Sequence, residues 1–184
     1  KIATSSAYLK YQRLKAIARK RGVQFAYETN VGAGLPVIST LNDLITSGDS
    51  ILKIEGVLSG SLSYIFNNFK PGTRFSDIVK EAKARGLTEP DPREDLNGQD
   101  VKRKLIILAR ETGLTIEPEE VTVVNPLPLA CQEADSIEDF LLTLEQEDAY
   151  FAQLVQAAAD DNKVLRMCAT LDGRKALVEL KEVG

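Results

Sequence analysis

GLTEPDPREDLNGQDVKRK, residues 86–104, is the stretch of this 184-residue chain that predicts most about its fold and its chemistry. The carboxylates of Glu89, Asp91, Glu94, Asp95 and Asp100 crowd around two prolines. Proline fixes its own φ and restricts the residue before it, so these carboxylates are expected in a structured loop or a broken helix start. Carboxylates held rigidly in this way indicate a site.

Helical periodicity begins where the prolines end. Apolar residues between Asp100 and Glu111 recur at helical spacing, and Gly113 is the expected stop. Asp100 and Lys104 would then share one face of the helix, one turn apart. An amine beside carboxylates can act as a general acid toward a carbonyl oxygen, and carboxylates can bind an ammonium group. An ordinary surface salt bridge would have the same spacing, and the spacing alone favours that simpler interpretation.

Outward from this stretch, helix and strand signals alternate along the chain. Six further segments show helical signals: residues 6–21, 37–46, 62–69, 77–85 with Ser76 as the cap, 137–144 and 150–160. Strands are predicted over residues 23–27, 51–58, 121–124, 164–171 and 175–183. The last two read as an antiparallel hairpin with Asp172-Gly173 at its turn. The pattern predicts an α+β fold, a mixed or antiparallel sheet with helices packed on one face.

Composition narrows the class of protein. A length of 184 residues is enough for one compact domain that buries about two-thirds of its unfolded surface. The net charge of −4 argues against nucleic acid as a partner, although residues 10–21 are locally basic and are expected to form a solvated helix face. The chain has no histidine, and Cys131 and Cys168 lie far apart, which excludes ordinary zinc sites and imidazole-dependent triads.

No stretch approaches the roughly 18 apolar residues that cross a bilayer, and the N-terminus lacks the apolar core of a signal peptide. We therefore expect a cytoplasmic protein without a membrane partner.

Two glycine-containing segments remain ambiguous from the residues alone. Residues 31–36 hold Gly-Ala-Gly but have Val37 where a dinucleotide fingerprint needs its third glycine, so that interpretation is rejected. The loop, with Glu28 nearby, could hold a cation such as sodium, shape a pocket floor or simply connect a strand to a helix. Residues 56–64 place serines at a helix start, where backbone amides could receive a substrate carboxylate or the serines could merely cap the helix.

Residues 27–36, 56–66 and 86–104, taken in this order, closely resemble the signature stretches of homoserine dehydrogenases. The amino-acid sequence of these stretches is most similar to that of the bifunctional aspartokinase/homoserine dehydrogenases. The similarity covers nearly all of residues 1–115 and weakens through residues 164–183. Three long motifs in register are far more specific than any one of them.

The resemblance implies that residues 1–184 are the substrate-binding and dimerisation domain of an oxidoreductase that interconverts aspartate 4-semialdehyde and homoserine with NAD(P), in threonine and methionine biosynthesis. It also implies residue roles. Lys104 would donate the proton, with the catalytic Asp100 beside it, and Glu89, Asp95, Ser61 and Gly60 would bind the substrate. Lys1 matches a lysine at the junction with the cofactor domain. A sodium ion would rest on the carbonyls of Glu28, Val31, Ala33 and Leu35, and dimers would form through the sheet.

The sequence also departs from the family pattern. Leu87 stands where many members carry an aromatic residue, which leaves one side of the expected pocket undefined. These residues include neither the nucleotide-binding half nor the closing segment expected after Val183. This domain alone is therefore not expected to catalyse the reaction. Two other functions stay open: an amino-acid-binding module without catalysis, and a purely structural oligomerisation domain.

Overall fold

The computed structural model describes the backbone of residues 2–184 and the side chains of residues 4–184. Its α-helices are α1 (Ile2–Ser5), α2 (Tyr8–Arg21), α3 (Thr29–Gly32), α4 (Val37–Thr46), α5 (Gly60–Asn68), α6 (Phe75–Ala84), α7 (Arg93–Leu96), α8 (Gln99–Glu111), α9 (Leu129–Gln132), α10 (Ile137–Gln146) and α11 (Asp148–Asp160). Its strands are β1 (Lys53–Gly56), β2 (Val121–Val123), β3 (Val164–Asp172) and β4 (Lys175–Val183), and a short 3-10 helix (Pro118–Glu120) precedes β2.

The four strands form one mixed sheet in the order β1-β3-β4-β2. Strand β1 runs antiparallel to β3, with Lys53 opposite Asp172, and β2 runs parallel to β4, with Val121 opposite Ala176. A mixed sheet combined with helices confirms the predicted α+β class.

The backbone divides into two compact units. Unit 1 comprises the described residues up to Leu58, together with Val101–Val123 and Ala169–Val178. Unit 2 comprises Ser59–Asp100, Val124–Cys168 and Glu179–Gly184. That residues 1–184 act as one substrate-binding domain stays a prediction.

Unit 1 has a small apolar core and a buried polar centre. The core joins α3, α4 and α8 through the buried side chains of Val31, Ile38, Leu41, Ile107 and Leu108. Helix α8 ends at Glu111, whose side chain is only 3% exposed. Its carboxylate accepts hydrogen bonds from the hydroxyls of Tyr11 at 2.7 Å and Tyr27 at 2.6 Å and from the Asn42 amide at 3.2 Å. The ammonium of Lys15 lies 3.7 Å away.

Unit 2 is built around aromatic side chains. Phe75 on α6 and Phe151 on α11 stack with ring centroids 4.1 Å apart, and both are fully buried. The N-terminus of α6 is held by a carboxylate from α11: Asp148 accepts from the amide of Ser76 at 2.9 Å and from its hydroxyl at 2.6 Å. These bonds satisfy donors that a helix start would otherwise leave without partners.

Three local predictions were wrong, each for a physical reason. Residues 23–27 form no strand, since a strand needs a neighbour to take its backbone hydrogen bonds and none of the sheet pairings involves this segment. Ser76 does not cap α6; that helix begins at Phe75, two residues before its predicted start, and the Ser76 hydroxyl donates to Asp148. The predicted strand over residues 51–58 shrinks to β1, because β3 pairs with only four of its residues.

Most other elements lie where the sequence predicts them. Helix α4 and strand β4 have the predicted bounds, and α2 ends at Arg21 with Gly22 as its C-cap, whose φ of 64° lies in the left-handed region. None of the helices among the described residues combines the length and apolar character needed to cross a membrane.

Candidate functional site

The carboxylate of Asp95 binds two of the other residues predicted to bind substrate. Its Oδ1 accepts a hydrogen bond from the Ser61 hydroxyl at 2.6 Å, and its Oδ2 accepts one from the Glu89 backbone amide at 2.8 Å. A carboxylate can accept about four hydrogen bonds, so these two leave capacity for a donor group of a ligand. We call Ser61, Glu89 and Asp95 the carboxylate cluster; it lies within unit 2.

The start of α5 is built by serines. Ser59 caps the helix, since its hydroxyl accepts from the Leu62 amide at 3.3 Å, and it lies 3.0 Å from the Ser61 hydroxyl. The capping interpretation of this segment is therefore confirmed for Ser59. Gly60 is exposed, and a Cβ built on it would meet no atom within 4 Å. Because Ser59 supplies the helix cap, the Ser61 hydroxyl can donate its hydrogen bond to Asp95.

Lys104 lies in unit 1, on the first half of α8. Its ammonium donates to the Leu58 carbonyl at 2.5 Å, just beyond the carboxyl end of β1. The side chain is half-buried, and Asp100 precedes it by one turn of the same helix. An ammonium group carries three donors, and the bond to this carbonyl orients one of them along the end of β1.

The loop predicted to hold sodium is ordered by the Glu28 side chain. The carboxylate accepts from the amides of Ile38 at 2.7 Å and Ser39 at 2.8 Å, which caps α4. The carbonyl of Glu28 accepts from the Val31 amide at 3.4 Å, and that of Leu35 accepts from the Val37 amide at 2.9 Å. Ala33 has a φ of 51°, an uncommon value for a residue with a side chain.

Backbone carbonyl oxygens are the kind of ligand that a hard cation prefers, so the four predicted carbonyls are chemically suited to sodium. In the part of the chain that the structure describes, no group of three or more Asp, Glu, Cys or His side chains could hold a metal ion. A metal site in this loop would therefore depend on backbone oxygens.

Comparison with known proteins decides the family. A model of the homoserine dehydrogenase family matches residues 36–184. The bifunctional aspartokinase/homoserine dehydrogenase of Daucus carota, a chloroplastic enzyme, is 47% identical over 98% of this chain. The chain belongs to the homoserine dehydrogenase family. It spans 20% of that carrot relative's length.

Solved structures support the same fold for this homoserine dehydrogenase family member. A Candida auris protein whose function is described as unknown is similar with a TM-score of 0.91 and 39% identity, covering 98% of this chain and 53% of the other. A hyperthermophilic archaeal homoserine dehydrogenase in complex with NADPH is similar with a TM-score of 0.66 and 22% identity, over 96% of this chain and 46% of the other. The second likeness bears on the fold alone.

The structure brings some of the predicted site residues of this homoserine dehydrogenase family member close together. It brings Ser61, Glu89 and Asp95 together and places Asp100 and Lys104 one turn apart on α8. Lys1, predicted at the cofactor junction, lies outside the described residues.

Sequence reasoning missed two charged residues at the end of α8, Arg110 and Glu111. The Arg110 side chain is fully buried and donates to the carbonyls of Thr4 at 2.7 Å and Ile116 at 2.9 Å. Burial lowers the pKa of this guanidinium below its usual value. The signal was present as two adjacent charges closing the apolar run of α8, but helical periodicity does not show which partners they meet.

Proposed function

We propose that this chain is the substrate-binding and catalytic domain of a homoserine dehydrogenase, which interconverts aspartate 4-semialdehyde and homoserine in threonine and methionine biosynthesis. The observation that carries the proposal is the carboxylate cluster, in a chain whose family is homoserine dehydrogenase. Asp95, with its remaining acceptor capacity, and Glu89, whose side chain is exposed, suit the ammonium group of an amino-acid substrate. Ser61 and Gly60 line the same site.

Lys104 is the proposed proton donor. During reduction the carbonyl carbon of the aldehyde gains a hydride, and its oxygen must then gain a proton to become the hydroxyl of homoserine. The ammonium of Lys104 supplies that proton, and in the reverse direction the neutral amine takes it back. The Leu58 carbonyl orients the ammonium through its 2.5 Å hydrogen bond, and Asp100 is the catalytic carboxylate one turn away.

A nicotinamide cofactor, NAD(P), supplies the hydride when it is bound. An archaeal homoserine dehydrogenase of the same fold was solved with NADPH, which supports a nicotinamide cofactor in general. Lys1 stays our proposal for a cofactor contact, and the choice between NAD and NADP belongs to residues of the cofactor domain.

Homoserine binding tests the substrate assignment. Asp95→Asn keeps the size of the side chain but removes its charge, so we expect the Kd for homoserine to rise by about tenfold, the loss of one charge-assisted hydrogen bond. Isothermal titration of the protein carrying this domain and its cofactor domain measures it. Glu94→Gln is the matched control, because Glu94 is an exposed carboxylate on the same short helix.

The alternatives predict other results in the same titration. A purely structural oligomerisation domain would bind no homoserine, or would bind it equally well after Asp95→Asn. An amino-acid-binding module without catalysis would bind homoserine tightly and still show no turnover in the presence of the cofactor domain.

We also propose that sodium binds the carbonyls of Glu28, Val31, Ala33 and Leu35. The left-handed φ of Ala33 and the Glu28 cap, which fix this loop, support the proposal. Since a bound ion stabilises the folded state, Tm should be higher in sodium chloride than in choline chloride of equal concentration. Equal Tm values in the two salts would contradict the proposed sodium site.

The remaining assignments are proposals too. We propose a homodimer that forms through the sheet, whose edges are β1 and β2 among the described strands. Light scattering of the protein would show a monomer if this is wrong.

We propose a cytoplasmic location, no membrane association and no nucleic-acid partner, in keeping with the net charge of −4. The carrot relative is chloroplastic, so cell fractionation decides the location.

A further inference from the structure

Arg93 stands at the first residue of α7, two positions before Asp95. We propose that Arg93 is a positioning residue for substrate: it fixes the loop of residues 88–98 so that Asp95 and Glu89 are held ready for the substrate's ammonium group. The inference rests on the proposed function and adds to it a residue that touches neither substrate nor cofactor.

The Arg93 guanidinium joins two segments that lie 41 residues apart in the sequence. Its Nη1 donates to the Ala134 carbonyl at 2.6 Å, in the turn between α9 and α10. Its Nη2 and Nε donate to Asp91 Oδ2 at 2.8 Å and 3.0 Å. The planar group also lies over the ring of Phe140, 5.5 Å from the centroid, and Phe140 is fully buried in the core of unit 2.

A guanidinium suits this place because it can serve several acceptors at fixed angles at once. Lysine could pair with Asp91 but could not reproduce the fork that reaches a carboxylate and a carbonyl in different directions. The pKa of Asp91 is held below its usual 3.8 by hydrogen bonds from Arg93, so the pair stays charged at neutral pH. Both side chains are largely buried, with exposed fractions of 21% and 27%, which limits screening by solvent.

Backbone hydrogen bonds connect the Arg93–Asp91 pair to Asp95. The Arg93 amide donates to Asp91 Oδ1 at 3.0 Å, and the carbonyls of Asp91 and Pro92 accept from the amides of Glu94 at 3.0 Å and Asp95 at 3.2 Å. The short helix α7 therefore begins on the Asp91–Arg93 pair. Asp95 is carried by that helix, and its own carboxylate holds the Glu89 amide and the Ser61 hydroxyl.

The loop of residues 88–98 is also held by contacts that do not involve Arg93. Lys83 on α6 donates to the Pro90 carbonyl, and Asp95 meets Ser61 on α5. Without Arg93 the Asp95–Ser61 bond remains, but the start of α7 loses its tie to Ala134. The carboxylate cluster would then sample more than one position, and binding would have to select the productive one.

Steady-state kinetics of Arg93→Met in the protein with its cofactor domain tests the proposal. We expect KM for homoserine to rise by about tenfold or more, with kcat changed less than about threefold and KM for the cofactor unchanged. Arg93→Lys should recover part of the loss, since it restores the pair with Asp91 only. Arg85→Met is the matched control: Arg85 is an exposed arginine, 59% accessible, that pairs with Glu81 on α6.

Hydrogen exchange of the amides of residues 94–98 provides a readout that needs no activity. Exchange should accelerate in Arg93→Met relative to the wild type and to Arg85→Met, since these amides donate to the carbonyls of residues 91–95, the turns that the Arg93 guanidinium ties down. A folded Arg93→Met variant with unchanged homoserine KM, or unchanged exchange in this segment, would overturn the proposal. If Arg93→Met does not fold, the same two measurements on Arg93→Lys decide it.

The failure of the proposed function would look different. In that case the wild type itself would neither turn over nor bind homoserine, whereas failure of the positioning role leaves the wild type active and the variant equally so.

Discussion

Replacing Lys104 by methionine should lower kcat for homoserine oxidation by about 10²- to 10⁴-fold, the range that a positioned general acid–base contributes. Methionine keeps much of the length and the apolar stem of lysine but cannot transfer a proton. Because the Leu58 carbonyl orients this ammonium from the end of β1, no solvent molecule would replace it with the same geometry. The Kd for homoserine should change far less than kcat, since in the proposed mode of binding the carboxylates, and not Lys104, hold the substrate's ammonium group.

Lys102→Met is the matched control for that experiment. Lys102 lies on the same helix as Lys104, half a turn away, and is likewise half-buried. Its replacement should leave kcat within about twofold of the wild type, as expected for a residue outside the chemistry. If both variants lost activity to the same degree, the effect would belong to helix α8 and not to a proton donor.

Replacing Glu111 by alanine should destabilise the protein by about 3 kcal/mol or more. The change removes the acceptor shared by Tyr11, Tyr27 and Asn42 and the counter-charge of Lys15. Tyr11 and Glu111 are both buried, so the hydroxyl of Tyr11 would be left without that partner in a place that water reaches poorly. Urea unfolding at neutral pH measures the loss.

The effect of Glu111→Ala should depend on pH. Burial by itself raises the pKa of Glu111, but the hydrogen bonds from Tyr27 and Tyr11, with the charge of Lys15, outweigh it and hold the pKa below its usual 4.5. A carboxyl whose folded pKa is lowered contributes stability above its unfolded pKa and loses it as the pH falls through the folded pKa. The difference between wild type and variant should therefore be full above about pH 5 and shrink in more acidic solution.

Glu119→Ala serves as the control for this pair of measurements. Glu119 is exposed in the 3-10 helix, so its loss should cost less than about 0.5 kcal/mol and show no such pH dependence. Equal destabilisation by both substitutions would contradict the account of the buried centre of unit 1.

Periodicity and punctuation in the sequence predicted much of this fold. Helix α4 and strand β4 have the predicted bounds because each has a clear apolar pattern and a glycine or polar turn beside it. Residues 23–27 look equally like a strand, yet form none. Strand propensity measures how well a residue packs in a sheet. Five residues do not determine whether a neighbouring strand is available to pair with the segment.

The candidate site was predictable in part. The prolines around Glu89 and Asp95 indicated a rigid acidic loop, and the structure shows the expected order, with Asp95 bonded to both Ser61 and the Glu89 amide. What the sequence could not indicate were partners far away along the chain. Arg93 meets Ala134, and Glu111 meets Tyr11 from 100 residues away; local spacing carries no information about such contacts.

The most direct test of the central claim is turnover of aspartate 4-semialdehyde by the protein that carries this domain together with its cofactor domain. NADPH oxidation is followed spectrophotometrically and homoserine is measured chromatographically in the same samples. We expect one homoserine to form for each NADPH consumed. Homoserine that binds to the protein without any turnover in either direction would contradict the account and leave an amino-acid-binding module in its place.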